Sequence, residues 1–310
     1  QMSDSLSGYS TTRFTFGAVR DSRFGTSLKS TSFTLVPLYD TLDFGKNTEV
    51  TGFHFSAARD TLSTVFDNQL RIIQNVYVYE LKEALDSTVL YSGEFDKDRY
   101  VNMSSVITEG IPVYDGGDSL SFEFSKEFAE SVMERIKNAD MDSLALFVND
   151  IPGIYITTDT PAGEGGRINM FRLPIGTDQG YITGNFAELK ITAEYEHSEE
   201  PVDTSFLFYF GPSAFMEEKA ATYPTQFAFN SSDHETVKKY KNGVKAADKI
   251  YVEGGAGVKP VVKAAEIKDI LDSLIVAANI TNPDEVVINK ATITLPFEAS
   301  GNYSALDKFP

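Results

Sequence analysis

Residues 189–196 read Leu-Lys-Ile-Thr-Ala-Glu-Tyr-Glu, a stretch in which apolar and polar side chains alternate without interruption. A period of two predicts a β-strand with one buried face and one solvated face. The same alternation recurs at residues 13–16, 53–55, 120–124 and 206–210. One-sided alternation is typical of antiparallel sheets, because the strands of parallel sheets are apolar on both faces. The sequence therefore predicts a mainly β protein built as an antiparallel β-sandwich, in one lobe or in two.

Two segments depart from this alternation and show the helical spacing of apolar residues. The first, residues 125–138, begins at Ser125, a residue type favoured as a helix N-cap. Its apolar stripe consists of Phe128, Val132, Met133 and Ile136. The second, residues 264–278, has its stripe at the i, i+3, i+4 and i+7 positions. That stripe consists of Ile267, Ile270, Leu271 and Leu274. We predict two short α-helices that cover the core.

The chain on both sides of Pro212 is rich in prolines and carries an acidic run. Such punctuation is typical of loops and of domain boundaries. A boundary at Pro212 predicts an N-terminal β-sandwich domain at residues 1–212. The remainder, residues 213–310, is predicted to be a β-rich domain with one helix and an alternating strand at residues 293–297.

The overall charge is strongly negative. Lys and Arg number 27 against 45 Asp and Glu, which gives a net charge of −18. A field of that sign repels the phosphates of nucleic acids, so no nucleic acid partner is expected. The chain has no cysteine, which excludes disulfides, thiolate nucleophiles and thiolate metal ligands.

The sequence contains no established catalytic motif. The G-x-S-x-G and H-E-x-x-H motifs and both glycine-rich phosphate loops are absent. The three histidines are dispersed, with His54 on the polar side of a strand, His197 in an acidic loop and His234 in a turn. The acidic loop offers a metal-ligand set as an alternative to a solvated loop. We predict no catalytic residue, no cofactor and no metal site, and therefore no enzyme.

Two tyrosines are the first candidates for binding. Tyr77 and Tyr79 share one face of a predicted strand, and Val76 and Val78 share the other. If the valines lie in the core, the tyrosines point outward as a platform for a sugar ring or a protein partner. The alternative is that a neighbouring sheet buries the tyrosine face. The absence of tryptophan weighs against a carbohydrate platform.

Lysines are concentrated between residues 236 and 268, against the acidic background of the chain. A candidate face for anionic lipid headgroups, lipopolysaccharide or an acidic partner is formed by Lys238, Lys239, Lys241 and Lys245. The alternative is an ordinary solvated edge.

Six short stretches follow one another in a recognisable order. They are Asp-Ser-Arg-Phe-Gly-Thr-Ser-Leu-Lys-Ser-Thr-Ser-Phe-Thr at 21–34, Tyr-Val-Tyr-Glu-Leu-Lys-Glu-Ala-Leu at 77–85, Pro-Gly-Ile-Tyr-Ile-Thr-Thr at 152–158, Phe-Ala-Phe-Asn-Ser-Ser-Asp-His at 227–234, Gly-Gly-Ala-Gly-Val-Lys-Pro at 254–260 and Ile-Asn-Lys-Ala at 288–291. Taken in this order, they resemble a Bacteroidota outer-membrane lipoprotein family, the domain of unknown function 4270. The resemblance extends from Asp21 to Phe297.

The resemblance implies an exported protein at the bacterial outer membrane with protein partners there. It also implies a lipid anchor on a cysteine upstream of Gln1, further residues after Pro310 and no established activity. The leading hypothesis is a non-enzymatic surface lipoprotein ectodomain that serves a protein assembly as a structural or accessory component. One alternative is a carbohydrate-binding module that presents Tyr77 and Tyr79 to a glycan. Another is a carboxylate-dependent glycoside hydrolase, which requires two acids about 5 to 10 Å apart.

Overall fold

The structure is a computed structural model of the chain, and it describes a subset of the residues. These are residues 2–3, 13–21, 25–39, 41–61, 72–86, 89, 91, 95–139, 144–173, 175–178, 181–210, 226–233, 235, 238–239, 250, 252, 258–259, 261–282, 286–287, 290, 292 and 294. The chain divides into two compact units, Gln1–Val261 and Val262–Pro310. The apolar positions of the strand predicted at residues 293–297 lie outside the described residues.

Two large antiparallel sheets form most of the described part of the first unit. The six-stranded sheet consists of β2 (Arg13–Asp21), β3 (Gly25–Phe33), β7 (Tyr77–Glu80), β10 (Ile154–Thr157), β11 (Gly165–Arg172) and β16 (Gln226–Ser232). The five-stranded sheet consists of β4 (Val36–Pro37), β5 (Lys46–Ala58), β9 (Ser119–Glu123), β14 (Phe186–Glu194) and β15 (Val202–Tyr209). Three two-stranded ladders pair β1 (Met2–Ser3) with β17 (Val258–Lys259), β6 (Gln74–Asn75) with β8 (Val113–Tyr114), and β12 (Ile175–Asp178) with β13 (Tyr181–Gly184).

The two large sheets pack face to face through aromatic side chains. Phe33 of β3 stacks on Phe55 of β5 with ring centroids 5.9 Å apart, and on Phe210 with centroids 5.1 Å apart. Phe53 and Phe208 meet at 5.4 Å within the same core. All five side chains are buried, as the sequence alternation predicts for Phe53, Phe55, Phe208 and Phe210. The predicted antiparallel β-sandwich is confirmed, and its described residues form one sandwich.

The helix predicted at residues 125–138 is confirmed as α2 (Lys126–Asn138), and it covers the sandwich core. The Phe128 backbone N–H donates to the Ser125 hydroxyl over 3.2 Å, so Ser125 acts as the N-cap. The buried stripe consists of Phe128, Ala129, Val132, Met133 and Ile136. Two shorter helices, α1 (Lys97–Tyr100) and α3 (Leu144–Asp150), lie in the connections.

The helix predicted at residues 264–278 is present as α4 (Ala264–Ala277), but the prediction that it covers a core is wrong. None of its residues is buried, and Ile267, Ile270 and Leu274 are among the exposed large apolar side chains. Helix α4 lies in the second unit, and the described residues of that unit include no strand. No helix in the described ranges is long and apolar enough to cross a membrane.

The structure also divides the chain at a different place from the predicted boundary at Pro212. Strand β16 lies after Pro212 and pairs along β3 from Ser27 to Phe33. Its Phe227 and Phe229 belong to a second apolar cluster on the outer face of the six-stranded sheet. The first unit therefore continues past Pro212 to Val261 and includes β16.

The second apolar cluster covers part of the sheet that would otherwise face water. Its buried members are Leu81, Leu85, Tyr91, Val101, Tyr155, Phe227 and Phe229. Phe95 stacks on Phe229 with centroids 4.0 Å apart, and Tyr155 lies 5.9 Å from the same ring. The six-stranded sheet is thus covered by the sandwich core on one face and partly by this cluster on the other.

Candidate functional site

Tyr77 and Tyr79 lie on the outer face of β7, and both are partly exposed. Val76 and Val78 are fully buried in the sandwich core. The two tyrosine rings are nearly parallel, with centroids 6.4 Å apart and an interplanar angle of 11°. This spacing follows from strand geometry, because side chains two residues apart project from the same face.

Polar groups fix the first of these rings. The Tyr77 hydroxyl donates to Asp159 Oδ2 over 2.9 Å, and Asn75 Nδ2 donates to the same oxygen over 2.8 Å. The hydrogen bond to the Asp159 carboxylate raises the pKa of Tyr77 above its usual range. The hydrogen bond to Asp159 also restricts the orientation of the Tyr77 ring.

The sequence left open whether Tyr79 points outward or is buried, and the structure shows an intermediate case. Its ring packs against the second apolar cluster, so part of the tyrosine face is covered, yet the residue remains partly exposed. Burial raises the pKa of Tyr79, with the Asp159 charge as a smaller cause. The freely accessible end of the tyrosine face is therefore the end at Tyr77.

Three exposed aliphatic residues lie in or next to the β6–β8 ladder, whose β6 strand directly precedes the tyrosine strand, and the sequence analysis did not identify them. Ile73 is 67% exposed, Val113 58% and Ile111 51%. Val113 pairs with Asn75 in the β6–β8 ladder, and the Val76 backbone N–H donates to the Pro112 carbonyl over 2.8 Å. These contacts place residues 111–113 alongside the strand that carries the tyrosines.

We name this region the tyrosine surface. It consists of Ile73, Asn75, Tyr77, Tyr79, Ile111, Val113 and Asp159. No local periodicity marks Ile111 or Val113, because they lie in an irregular Ile-Pro-Val segment. Only the pairing of that segment with residues 74–76 brings them to the tyrosines.

A buried polar network supports the tyrosine surface from the opposite side of β6. Arg167 is 1% exposed, and its Nε donates to Asn169 Oδ1 over 2.6 Å. Gln74 Nε2 donates to the Arg167 carbonyl over 2.8 Å, and its own Oε1 accepts from Asn169 Nδ2 over 2.8 Å. Because buried polar groups are costly unless they are paired, these bonds hold β6 firmly in its register.

Burial shifts the acidity of two groups in this network. It lowers the pKa of the Arg167 guanidinium and raises the pKa of the Tyr114 hydroxyl to about 12. The Arg167 guanidinium lies 5.4 Å from the centroid of the Tyr114 ring, within the range of a cation–π contact. The Tyr114 hydroxyl donates to the Gly117 carbonyl over 2.5 Å. These contacts connect Tyr114 and Gly117 to the Arg167 network.

The predicted lysine face is described only in part. Lys238 and Lys239 are exposed, and Lys238 Nζ lies 3.8 Å from Glu235 Oε1. Lys241 and Lys245 lie outside the described residues. The structure therefore brings two of the four predicted lysines to the surface and leaves the wider cluster as a prediction.

The three histidines have different outcomes. His54 lies on the solvated parity of β5, as predicted, and hydrogen-bonds to Glu123 and Ser121 on the neighbouring strand β9. His197 is exposed in the acidic turn, and His234 lies outside the described residues. Within the part of the chain that the structure describes, no three His, Asp or Glu side chains are grouped to hold a metal ion.

The described structure belongs to the class of antiparallel β-sandwiches with few helices, and it exposes an aromatic and aliphatic surface beside one sheet edge. No family model, no curated protein and no solved structure matches this chain.

Proposed function

We propose that this chain is the non-enzymatic ectodomain of an outer-membrane surface lipoprotein and that it acts as a structural or accessory component of a protein assembly. The observation that carries the proposal is the tyrosine surface. Ile73, Ile111 and Val113 each expose more than half of their surface in or next to the β6–β8 ladder, whose β6 strand directly precedes the tyrosine strand. Apolar side chains grouped with tyrosine and surrounded by hydrogen-bonding groups are typical of protein interfaces.

The lipoprotein part of the proposal rests on the family resemblance. Four of the six stretches contribute strands to one sheet, in which β3 pairs with β10 and β16, and β10 pairs with β7. Residues far apart in sequence thus form one continuous structural unit. The shared sheet gives these stretches a common structural role, and the tyrosine surface lies at its β7 edge.

A partner-capture experiment tests the assembly role. The variant Ile111→Glu/Val113→Glu places two charges on the tyrosine surface, whereas Val202→Glu changes an exposed valine on the other sheet. We expect cross-linked partners identified by mass to be recovered with wild type and Val202→Glu, and to be lost with the double variant. Equal melting temperatures would show that the loss is one of binding. Recovery of the same partners with the double variant would refute the role of this surface.

The membrane tether requires a separate experiment. The full-length precursor should fractionate with outer membranes and carry a covalently attached fatty acid in its native host. A protein recovered entirely without lipid in the aqueous fraction would contradict the tether while leaving partner binding open to the first experiment.

A carbohydrate-binding module is the second candidate, and the stacked tyrosines favour it. A sugar ring can lie on an aromatic face while the Asn75 amide and the Asp159 carboxylate bond its hydroxyls. Tyr77→Ala should abolish retardation in glycan affinity gels, whereas Tyr39→Ala, at an exposed tyrosine outside the tyrosine surface, should leave it unchanged. Equal migration of wild type in gels with and without glycan would reject this candidate.

A further inference from the structure

Three polar side chains on the outer face of the five-stranded sheet form a continuous hydrogen-bonded chain. His54 of β5 lies directly opposite Glu123 of β9, and Ser121 lies two residues before Glu123 on the same face. His54 Nδ1 is 2.5 Å from Glu123 Oε1, and His54 Nε2 is 2.9 Å from Ser121 Oγ. The two ring nitrogens thus contact a carboxylate on one side and a hydroxyl on the other.

The order of these groups is that of a nucleophile, a base and an orienting acid. When Nδ1–H donates to Glu123, Nε2 has a free lone pair and accepts the Ser121 proton. We propose that Ser121 is an activated nucleophile that accepts an acyl group from an activated ester, with His54 as its general base and Glu123 as the positioning residue. The absence of a G-x-S-x-G motif does not exclude this site, because the pairing of two neighbouring strands brings its residues together and no local sequence motif is needed. The family resemblance implies nothing about it.

The reaction balances with an aryl ester as the acyl donor. Ser121 Oγ attacks the ester carbonyl and forms a new carbon–oxygen bond, while its proton passes to His54 Nε2. Collapse of the tetrahedral intermediate breaks the bond to the aryl oxygen, and the leaving phenolate takes the proton from His54. The products are one O-acyl serine and one phenol.

The backbone beneath these side chains is held firmly by the core. Phe55 stacks on Phe122 with ring centroids 4.6 Å apart, and Phe53 lies 4.7 Å from Phe124. These rings are buried on β5, on β9 and at Phe124 directly after β9, whereas His54, Ser121 and Glu123 lie on the solvated face of the same two strands. Packing therefore fixes the strand register that holds Ser121, His54 and Glu123 in contact. A reactive group of side chains requires such a rigid support.

The surroundings make the site accessible to a reagent. The His54 and Glu123 side chains are 39% and 44% exposed. Glu188 of β14 lies opposite His54, with Lys190 Nζ 3.3 Å from its carboxylate. The site occupies an open sheet face, so we infer stoichiometric acylation of Ser121 rather than rapid turnover. This inference is independent of the partner binding proposed for the tyrosine surface.

The test uses the full chain and p-nitrophenyl acetate, followed by intact mass and peptide mapping. We expect one acetyl group on Ser121 and one equivalent of p-nitrophenol released with the same time course. Because general-base assistance typically contributes about 10²-fold or more, His54→Gln should slow acetylation by about 100-fold. Glu123→Gln should slow it less, since it removes the positioning carboxylate and leaves the base in place.

A matched control distinguishes activation of Ser121 by His54 from ordinary surface reactivity. Ser119 is exposed on the same strand and face but pairs with Ala58, so Ser119→Ala should leave the acetylation of Ser121 unchanged. Ser121→Ala should abolish it, while circular dichroism and melting temperature stay those of wild type. Equal labelling of Ser119 and Ser121, labelling that His54→Gln leaves unchanged, or no serine labelling at all would each overturn the proposal.

Discussion

Single residues show how strictly burial follows strand parity in this protein. Leu189, Ile191 and Ala193 are completely buried on β14, whereas Lys190 between them is exposed. Consecutive side chains on this strand therefore lie in different environments, one in the sandwich core and the next in water. A substitution at either position tests the register directly.

The first prediction concerns Ile191. Ile191→Asp places an unpaired carboxylate in the core and should lower the free energy of unfolding by several kcal/mol, because no charged partner faces that position from the apolar cluster. Urea denaturation measures the change. As a control, Ser205→Asp puts the same side chain opposite Lys190 on the solvated face and should alter stability by less than about 0.5 kcal/mol. Similar losses for both variants would contradict the observed register.

The second prediction concerns the titration of Tyr114. An unfolded tyrosine has a pKa of about 10, and burial raises the pKa of Tyr114 to about 12 in the folded protein. The folded state therefore retains the proton longer, and this contribution to stability is complete below pH ~10 and declines above it. Between about pH 9 and about pH 11, the stability advantage of wild type over Tyr114→Phe should shrink by about 1 kcal/mol.

Denaturation of both proteins at a series of pH values provides the measurement. Tyr114→Phe also loses the hydrogen bond to the Gly117 carbonyl, so wild type should be the more stable protein near neutral pH. Parallel stability curves across the alkaline range would show that Tyr114 ionises equally in both states.

At the scale of secondary-structure elements, close approach between strands depends on particular glycines. Gly17 of β2 has a φ of +138° and lies opposite Ile168 of β11. A Cβ added at Gly17 would lie 2.2 Å from the Arg167 carbonyl oxygen, which is a backbone atom and cannot rotate away. Glycine is therefore required where these two strands meet.

The third prediction follows from this contact. Gly17→Ala should lower the free energy of unfolding by about 3 kcal/mol, because both the clash and the unfavourable φ must be relieved by separating β2 from β11. Gly163→Ala serves as the control, since nothing lies within 4 Å of its added Cβ. Chemical denaturation compares the two variants. A Gly17→Ala protein as stable as Gly163→Ala would mean that the strands tolerate a wider separation.

The helices show what local patterns can and cannot predict. For α2, the N-cap at Ser125 and the apolar stripe predicted both its start and its buried face, because capping and periodicity are local properties. For α4, the same spacing predicted the helix correctly but not its environment. An amphipathic pattern shows that a helix has an apolar face and does not show what covers that face.

For the whole molecule, the position of the division between units has a measurable consequence. The first unit extends to Val261 and includes β16, which the predicted boundary at Pro212 would have removed from its sheet. Phe227 and Phe229 of β16 are buried in the second apolar cluster. Two buried aromatic side chains contribute a large fraction of the free energy of unfolding of an ordinary domain.

The fourth prediction compares two truncated chains. A chain that ends at Val261 should retain the β-rich circular dichroism spectrum and melt within a few degrees of the full chain. A chain that ends at Pro212 should be destabilised by several kcal/mol, because it lacks β16 and the two phenylalanines. Thermal melts of both decide between the boundaries. A stable chain ending at Pro212 would favour the boundary predicted from the prolines.

The candidate sites differ in how far the sequence could reveal them. Strand parity was sufficient to place Tyr77 and Tyr79 on the face opposite the buried valines. It could not reveal Ile111 and Val113, whose position depends on the β6–β8 ladder. Nor could it join His54 to Ser121 and Glu123, which lie 67 and 69 residues further along the chain, because that contact requires the register between two strands.

The sequence by itself determined the mainly β class, the buried parity of individual strands and the start of α2. These properties depend on neighbours within a few residues, so alternation and capping are enough to predict them. Only the tertiary structure decided the pairing of β16 with β3, the exposure of α4 and the residues that meet at the tyrosine surface and around His54. The physical reason is that strand pairing joins distant segments, and a shift by one residue would turn each strand's polar side chains to the opposite face.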